Sequence, residues 1–256
     1  MRILAIFLLA TALHAQSFPV YDATYFINKP DLSQYGIKPF TIIYQYKMWP
    51  GKFNASDTKT MPDRSMINAA VKGSTGLVAI DIEHWPITDP ESIKKLETVF
   101  QWFKSADPQA KIGYYGIIPQ RDYWNTQQGA NSAKYHSWQQ TNDSVAPLAN
   151  MVDVVFPSLY TFYPDSAAWQ KYAIAQIQEA KRLAPGKPVY AFLWPQYHTS
   201  NRFLGGQYLP ADYWTLELNT VKKYADGAVI WCCPDKETWN PQAPWWKATV
   251  AFLQGK

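Results

Sequence analysis

Leu77-Val78-Ala79-Ile80-Asp81-Ile82-Glu83-His84-Trp85-Pro86 is the stretch from which the fold can be read. An apolar run of strand length leads directly into two carboxylates and ends at proline. A run without polar alternation suits a strand buried on both faces, which is the situation in a parallel sheet. Similar short runs occur at residues 40–46 (FTIIYQY), 111–117 (KIGYYGI), 152–156 (VDVVF), 189–193 (VYAFL) and 228–231 (AVIW). Longer amphipathic stretches separate them. Asp89 is suited to cap a helix that has Pro90 in its first turn, and Ile93, Leu96, Phe100 and Phe103 then recur at helical spacing. A second helix is predicted over residues 166–183, with Trp169, Ala173, Ile177 and Ala180 on one face. A third begins near Pro210 and carries Trp214, Leu218 and Val221, and a last one covers residues 245–253.

Strands alternating with helices predict an α/β fold, a TIM-like (β/α) barrel. The runs counted above fall short of a full set of strands. The remainder is expected in residues 20–26 or 125–147, and an irregular or seven-stranded barrel also fits. The chain has 256 residues, which suits one such domain. Residues 16–256 are read as a single catalytic barrel and residues 1–15 as a signal peptide. Arg2, an apolar run over residues 3–13 and the small Ala15 form the leader pattern. A membrane span needs about 20 apolar residues, so no anchor is expected once the leader is removed. The reading places the protein outside the cytoplasm, secreted or periplasmic.

Hydrophobic residues make up 47% of the chain and charged residues 17%, a balance that excludes disorder and supports a sizeable core. The net charge is +4 without any basic cluster, so nucleic acid is not an expected partner. The two cysteines, Cys232 and Cys233, are adjacent. That excludes a disulfide framework; a pair of buried thiols is expected, with a vicinal disulfide as the alternative. Beyond the leader the histidines are His84, His136 and His198, which lack ligand spacing, so neither a metal nor another cofactor is expected. Asn54-Ala55-Ser56 and Asn142-Asp143-Ser144 match the N-glycosylation pattern.

The working residues of such barrels lie at the C-terminal ends of the strands. Asp81 and Glu83 are two apart on a strand and should face the same side, toward the barrel mouth. Two carboxylates so close cannot both ionise freely. One pKa should rise, giving the acid and the charged partner that cleavage of a glycosidic bond requires. Other strand ends carry aromatic residues: Tyr115 in Gly113-Tyr114-Tyr115-Gly116, Tyr123 further along that loop, Tyr160 after Pro157-Ser158-Leu159, Trp194 before Pro195, and Trp231. Aromatics form 16% of the chain, with 12 Trp and 17 Tyr, and their clustering at strand ends suits a cleft that holds sugar rings.

These segments, taken in order from Pro39 to Pro234, resemble the hyaluronidase family, whose members have a distorted (β/α) barrel. The resemblance rests on residues 79–86, on Gly113-Tyr114-Tyr115-Gly116 with Tyr123, on Pro157-Ser158-Leu159-Tyr160 and on Gly227-Ala228-Val229-Ile230-Trp231. It implies a distant, trimmed member of bacterial type. Glu83 matches the family's acid/base and Asp81 its carboxylate partner. Tyr123 and Tyr160 match tyrosines that hold the N-acetyl group, and Trp231 matches the tryptophan that walls that pocket. The resemblance also implies a substrate-assisted mechanism in which the acetamido oxygen of the substrate is the nucleophile. The family's paired cysteines are missing here, and Pro86 follows Trp85 near the place where the family carries an arginine. A different N-acetylated glycan, or a plain polysaccharide, is therefore an open substrate. A barrel glycosidase with its own nucleophile, drawn from Asp122, Asp153 or Asp165, and a non-catalytic glycan-binding protein are the competing readings.

Overall fold

The structure, a computed structural model, describes residues 18–233 and 237–255. The leader expected at residues 1–15 lies outside the described residues, as does Pro234 at the end of the resemblance.

The strands are β1 (Val20–Thr24), β2 (Lys38–Pro39), β3 (Thr41–Tyr44), β4 (Leu77–Asp81), β5 (Lys111–Tyr114), β6 (Tyr190–Leu193) and β7 (Gly227–Cys232). The α-helices are α1 (Arg64–Val71), α2 (Pro90–Ala106), α3 (Ala133–Asp143), α4 (Ala146–Met151), α5 (Ser166–Leu183), α6 (Ala211–Tyr224) and α7 (Pro244–Leu253). All strand pairs are parallel, in two sheets ordered β2-β1-β7-β6 and β3-β4-β5. Only Phe40 separates β2 in one sheet from β3 in the other. On the opposite side, Phe156 bridges to Tyr115 after β5, and Val155 bridges to Val189 before β6. The parallel segments thus follow one another around an irregular barrel, with the ladder interrupted where the two sheets meet.

The interior is filled rather than open. Phe40 meets Phe156 at 5.4 Å and Phe192 at 5.6 Å, ring centre to ring centre, so residues at the two junctions between the sheets share one aromatic layer with β6. Val78, Ile80, Ile112, Val154, Ala191, Phe192 and Val229 are almost wholly buried, consistent with strands covered on both faces.

Residues 152–156 do not form the regular strand expected of them. The Ile112 amide donates to the Asp153 side chain at 3.0 Å, so a carboxylate occupies a place that a ladder carbonyl would take. Pro157 has no amide hydrogen with which to continue. Gly113 lets this irregular segment come close, since a Cβ there would stand 2.1 Å from the Val154 carbonyl oxygen.

The region 125–147, where a strand was one expectation, is helical instead. Ser132 caps α3 by accepting from the Tyr135 amide, and α3 buries Tyr135, Trp138 and Asn142. The other candidate, residues 20–26, supplies β1. Asp89 caps α2 by accepting from the Glu91 amide, and Ile93, Leu96, Phe100 and Phe103 are buried. Helix α5 has the predicted bounds, and Asp165 caps it.

The cysteines are joined as a Cys232–Cys233 disulfide and not held as two thiols. Cys233 has φ 65°, a left-handed conformation uncommon outside glycine, which lets the chain turn immediately after β7. Asn142 is fully buried and hydrogen-bonded to the Gln120 amide and the Trp138 carbonyl, so the folded chain does not offer it for glycosylation; Asn54 is exposed. Among the described residues no helix is long and apolar enough to cross a membrane.

Candidate active site

Strand β4 delivers the carboxylate pair. Ile80 and Ile82 are fully buried and anchor the strand end in the core, while Asp81 is half-buried and Glu83 is exposed at the mouth. One oxygen of Asp81 is buried without a hydrogen-bond partner. Burial, chiefly, and then the charge and hydrogen bonding of Glu83 push the Asp81 pKa up to about 8, so the pair binds a proton more readily than an isolated carboxylate does.

Gln45 holds the strand exit in place. The Glu83 amide donates to Gln45 Oε1 at 3.1 Å, and His84 Nδ1 lies 2.9 Å from the same oxygen. Because that oxygen only accepts, the His84 proton sits on Nδ1. Trp85 is buried against Trp49 and carries the Lys95 ammonium over its ring, so it braces the loop from below.

Aromatic side chains wall the pair. Tyr160 stacks on Trp231, with ring centres 5.6 Å apart and planes at 26°. Trp194 meets Trp231 edge-on at 4.8 Å and donates its indole hydrogen to Gln196 at 2.9 Å. Trp194 is almost wholly buried, so it supports Trp231 from behind. Tyr115 packs on Tyr160 at 5.9 Å and its hydroxyl pairs with Ser158 at 3.0 Å. Burial, and secondarily the Glu83 charge, raises the Tyr115 pKa; burial likewise raises that of Tyr160, so both remain phenols across ordinary pH. Tyr123 stands apart, packed among Phe162, Tyr163 and Tyr172, with its hydroxyl buried and unpartnered.

A pocket of about 160 Å³ opens at Glu83 and is lined also by Tyr115, Gly116, Gln120, Arg121 and Ser158. Arg121 donates to Ser158 at 3.2 Å and lies over the Phe162 ring. Glu83 is the carboxylate among the described lining residues. Asp122, Asp153 and Asp165 are engaged elsewhere. Asp122 accepts from the Trp124 and Asn125 amides, Asp153 is bound to Lys104 and the start of β5, and Asp165 caps α5. A larger concavity of about 1050 Å³ lies at the opposite end, beside Pro19, Pro188 and Asp226 where β1, β6 and β7 begin. Its described lining carries Asp226 and none of the residues of the carboxylate pair or its aromatic wall. Among the described residues no group of three metal-ligating side chains comes together.

Three contributors were not evident from the sequence. Tyr44 accepts the Trp231 indole hydrogen at 3.0 Å; Gln45 positions Glu83; and Arg121 supplies a cation beside the pocket. Tyr44 and Gln45 lie within a run read as strand throughout, whereas β3 ends at Tyr44, making both of them strand-end residues.

No protein-family model matches the sequence, and no curated protein sequence matches it. Among solved structures the chain is similar to bee venom hyaluronidase, with TM-score 0.69 and 17% identity over 93% of this chain and 96% of that one. It is similarly close to bee venom hyaluronidase in complex with a hyaluronic acid tetramer, with TM-score 0.67 and 16% identity over 93% and 95% of the two chains. Native xylanase 10B from Thermotoga maritima shares the general architecture at TM-score 0.50 and 11% identity, over 93% of this chain and 95% of that one. At these identities the likeness is one of fold, the TIM-barrel type of these glycoside hydrolases.

Proposed function

We propose that this protein is a secreted or periplasmic glycoside hydrolase that cleaves an N-acetylhexosamine-containing polysaccharide by substrate-assisted acid/base catalysis. The observation that carries this reading is the strand-end pair of half-buried Asp81 and exposed Glu83, with Glu83 the one carboxylate among the described residues that line the adjoining pocket. An enzyme with its own nucleophile needs a second carboxylate across the scissile bond, and the nearest aspartates are committed to structure. The substrate must then bring the nucleophile, which the acetamido oxygen can do.

A proton held by the Asp81–Glu83 pair serves the first step. Passed to Glu83, it becomes the proton given to the leaving oxygen, and Asp81 is left anionic beside the acetamido nitrogen and the positive charge growing on the sugar. The acetamido oxygen bonds to the anomeric carbon as the glycosidic bond breaks. In the second step Glu83 takes a proton from water, whose oxygen opens the cyclic intermediate and restores the acetamido group. Tyr160 and Trp231 wall the N-acetyl pocket in this reading, with Tyr115 and Trp194 supporting them; Tyr123 takes part only if the loop after β5 moves.

The test is product release from a panel of acetylated and non-acetylated polysaccharides, with Glu83→Gln alongside. Loss of a general acid lowers turnover by roughly 10²- to 10⁴-fold, so that loss is expected with binding kept. Cleavage confined to glycans without an acetamido group would overturn the substrate-assisted step. Binding by the unaltered protein without any cleavage would overturn the hydrolase reading.

A further inference from the structure

Three tyrosines at the ends of β1 and β3, of which only Tyr44 touches the site's aromatic wall, form an ordered surface that continues from it. Tyr25 is 41% exposed and Tyr46 is 55% exposed, values high for large aromatic side chains. Tyr44 and Tyr46 stack at 5.4 Å with planes at 12°, and Tyr25 lies 6.3 Å from Tyr44. Single exposed aromatics need no explanation, but a contiguous set joined to a cleft marks a binding surface.

The join is explicit. The Trp231 indole donates to the Tyr44 hydroxyl at 3.0 Å, and Tyr44 donates in turn to the Tyr25 hydroxyl at 3.0 Å. That chain leaves the Tyr25 hydroxyl hydrogen without an acceptor among the described residues. Tyr44 is also the register partner of Asp81 across β3 and β4, so the surface begins beside the carboxylate pair and runs outward. Aromatic faces edged with hydroxyl groups, their orientation set by hydrogen bonds, match the mixed apolar and hydroxylated surface of a pyranose ring better than they match a purely apolar partner.

We propose that Tyr25, Tyr44 and Tyr46 form a distal sugar-binding platform, occupied by units of the glycan chain beyond those held at Asp81 and Glu83. The platform rests on the proposed glycosidase reading for the class of its ligand. Its occupant is a longer saccharide; a short one fills the central pocket and does not reach Tyr46.

The test uses the full chain carrying Glu83→Gln, so that binding is measured without turnover, and titrates short and long fragments of chitin and of hyaluronan. Adding Tyr46→Ala should weaken binding of the long fragments about tenfold and leave disaccharide binding unchanged, while Tyr46→Phe, which keeps the ring, should restore it. Long-fragment binding that is unaffected by Tyr46→Ala would overturn the platform alone. Equal weakening for both lengths would overturn it as well, since the effect would then lie in the central pocket. Failure of the Glu83→Gln protein to bind any fragment would overturn the platform together with the glycosidase reading.

Discussion

Burial of Asp81 at the end of β4 favours its neutral form, and stability must then depend on pH through this one group. Its pKa is about 8 in the fold against the ordinary 3.8. Between those values the folded protein keeps a proton that the unfolded chain has released. Asp81 therefore contributes most below about pH 4, and stability falls as the pH rises toward 8. Asp81→Asn removes this dependence. The variant should match the parent in urea unfolding near pH 4 and exceed its stability at pH 8, by on the order of a few kcal/mol. It should lose turnover at both. The same pH dependence in parent and variant would show that Asp81 is not the buried acid. Asp81 and Glu83 were legible because a strand run ends in them. The rise of the Asp81 pKa through burial was not, since it follows from the depth at which the strand ends.

The elements were legible where one periodicity rules and illegible where side chains replace backbone partners. Strand β4 and helix α2 follow their apolar patterns closely. Residues 152–156 look equally apolar, yet Asp153 takes the Ile112 amide and Pro157 ends the ladder. Helix α3 is polar over most of its surface, and its buried face is only Tyr135, Trp138 and the polar Asn142, too few apolar residues to set a period. Gly113 is the backbone device that admits the irregular segment. Gly113→Ala should destabilise the protein by roughly 1–3 kcal/mol or more, because the Val154 carbonyl cannot withdraw without breaking its surroundings. Denaturant unfolding measures this, and a cost near zero would mean that the segment is free to shift. The site suffers from a similar ambiguity: Tyr44 and Gln45 continue an apolar run, and only the end of β3 makes them part of the mouth.

The whole molecule divides its duties between the two ends of the barrel. The carboxylates, the stacked aromatics and the tyrosine platform lie where strands finish, while ion pairs such as Lys104–Asp153 lie where β5 starts. Asp153→Asn should lower stability by about 1 kcal/mol through its weakened bonds to Lys104 and Ile112 while leaving kcat on a cleaved glycan unchanged. A collapse of kcat without loss of stability would return Asp153 to consideration as a nucleophile. The Cys232–Cys233 bond also acts at the mouth end, directly after Trp231. A cross-link restrains the unfolded chain in proportion to the loop it closes, and neighbouring residues enclose almost none. It therefore works as a detent and not as a rivet. The fold gains little global stability from it, but it holds the backbone at one angle as the chain leaves the indole. The oxidation state of the surroundings would thus be felt at the cleft wall long before it was felt by the barrel.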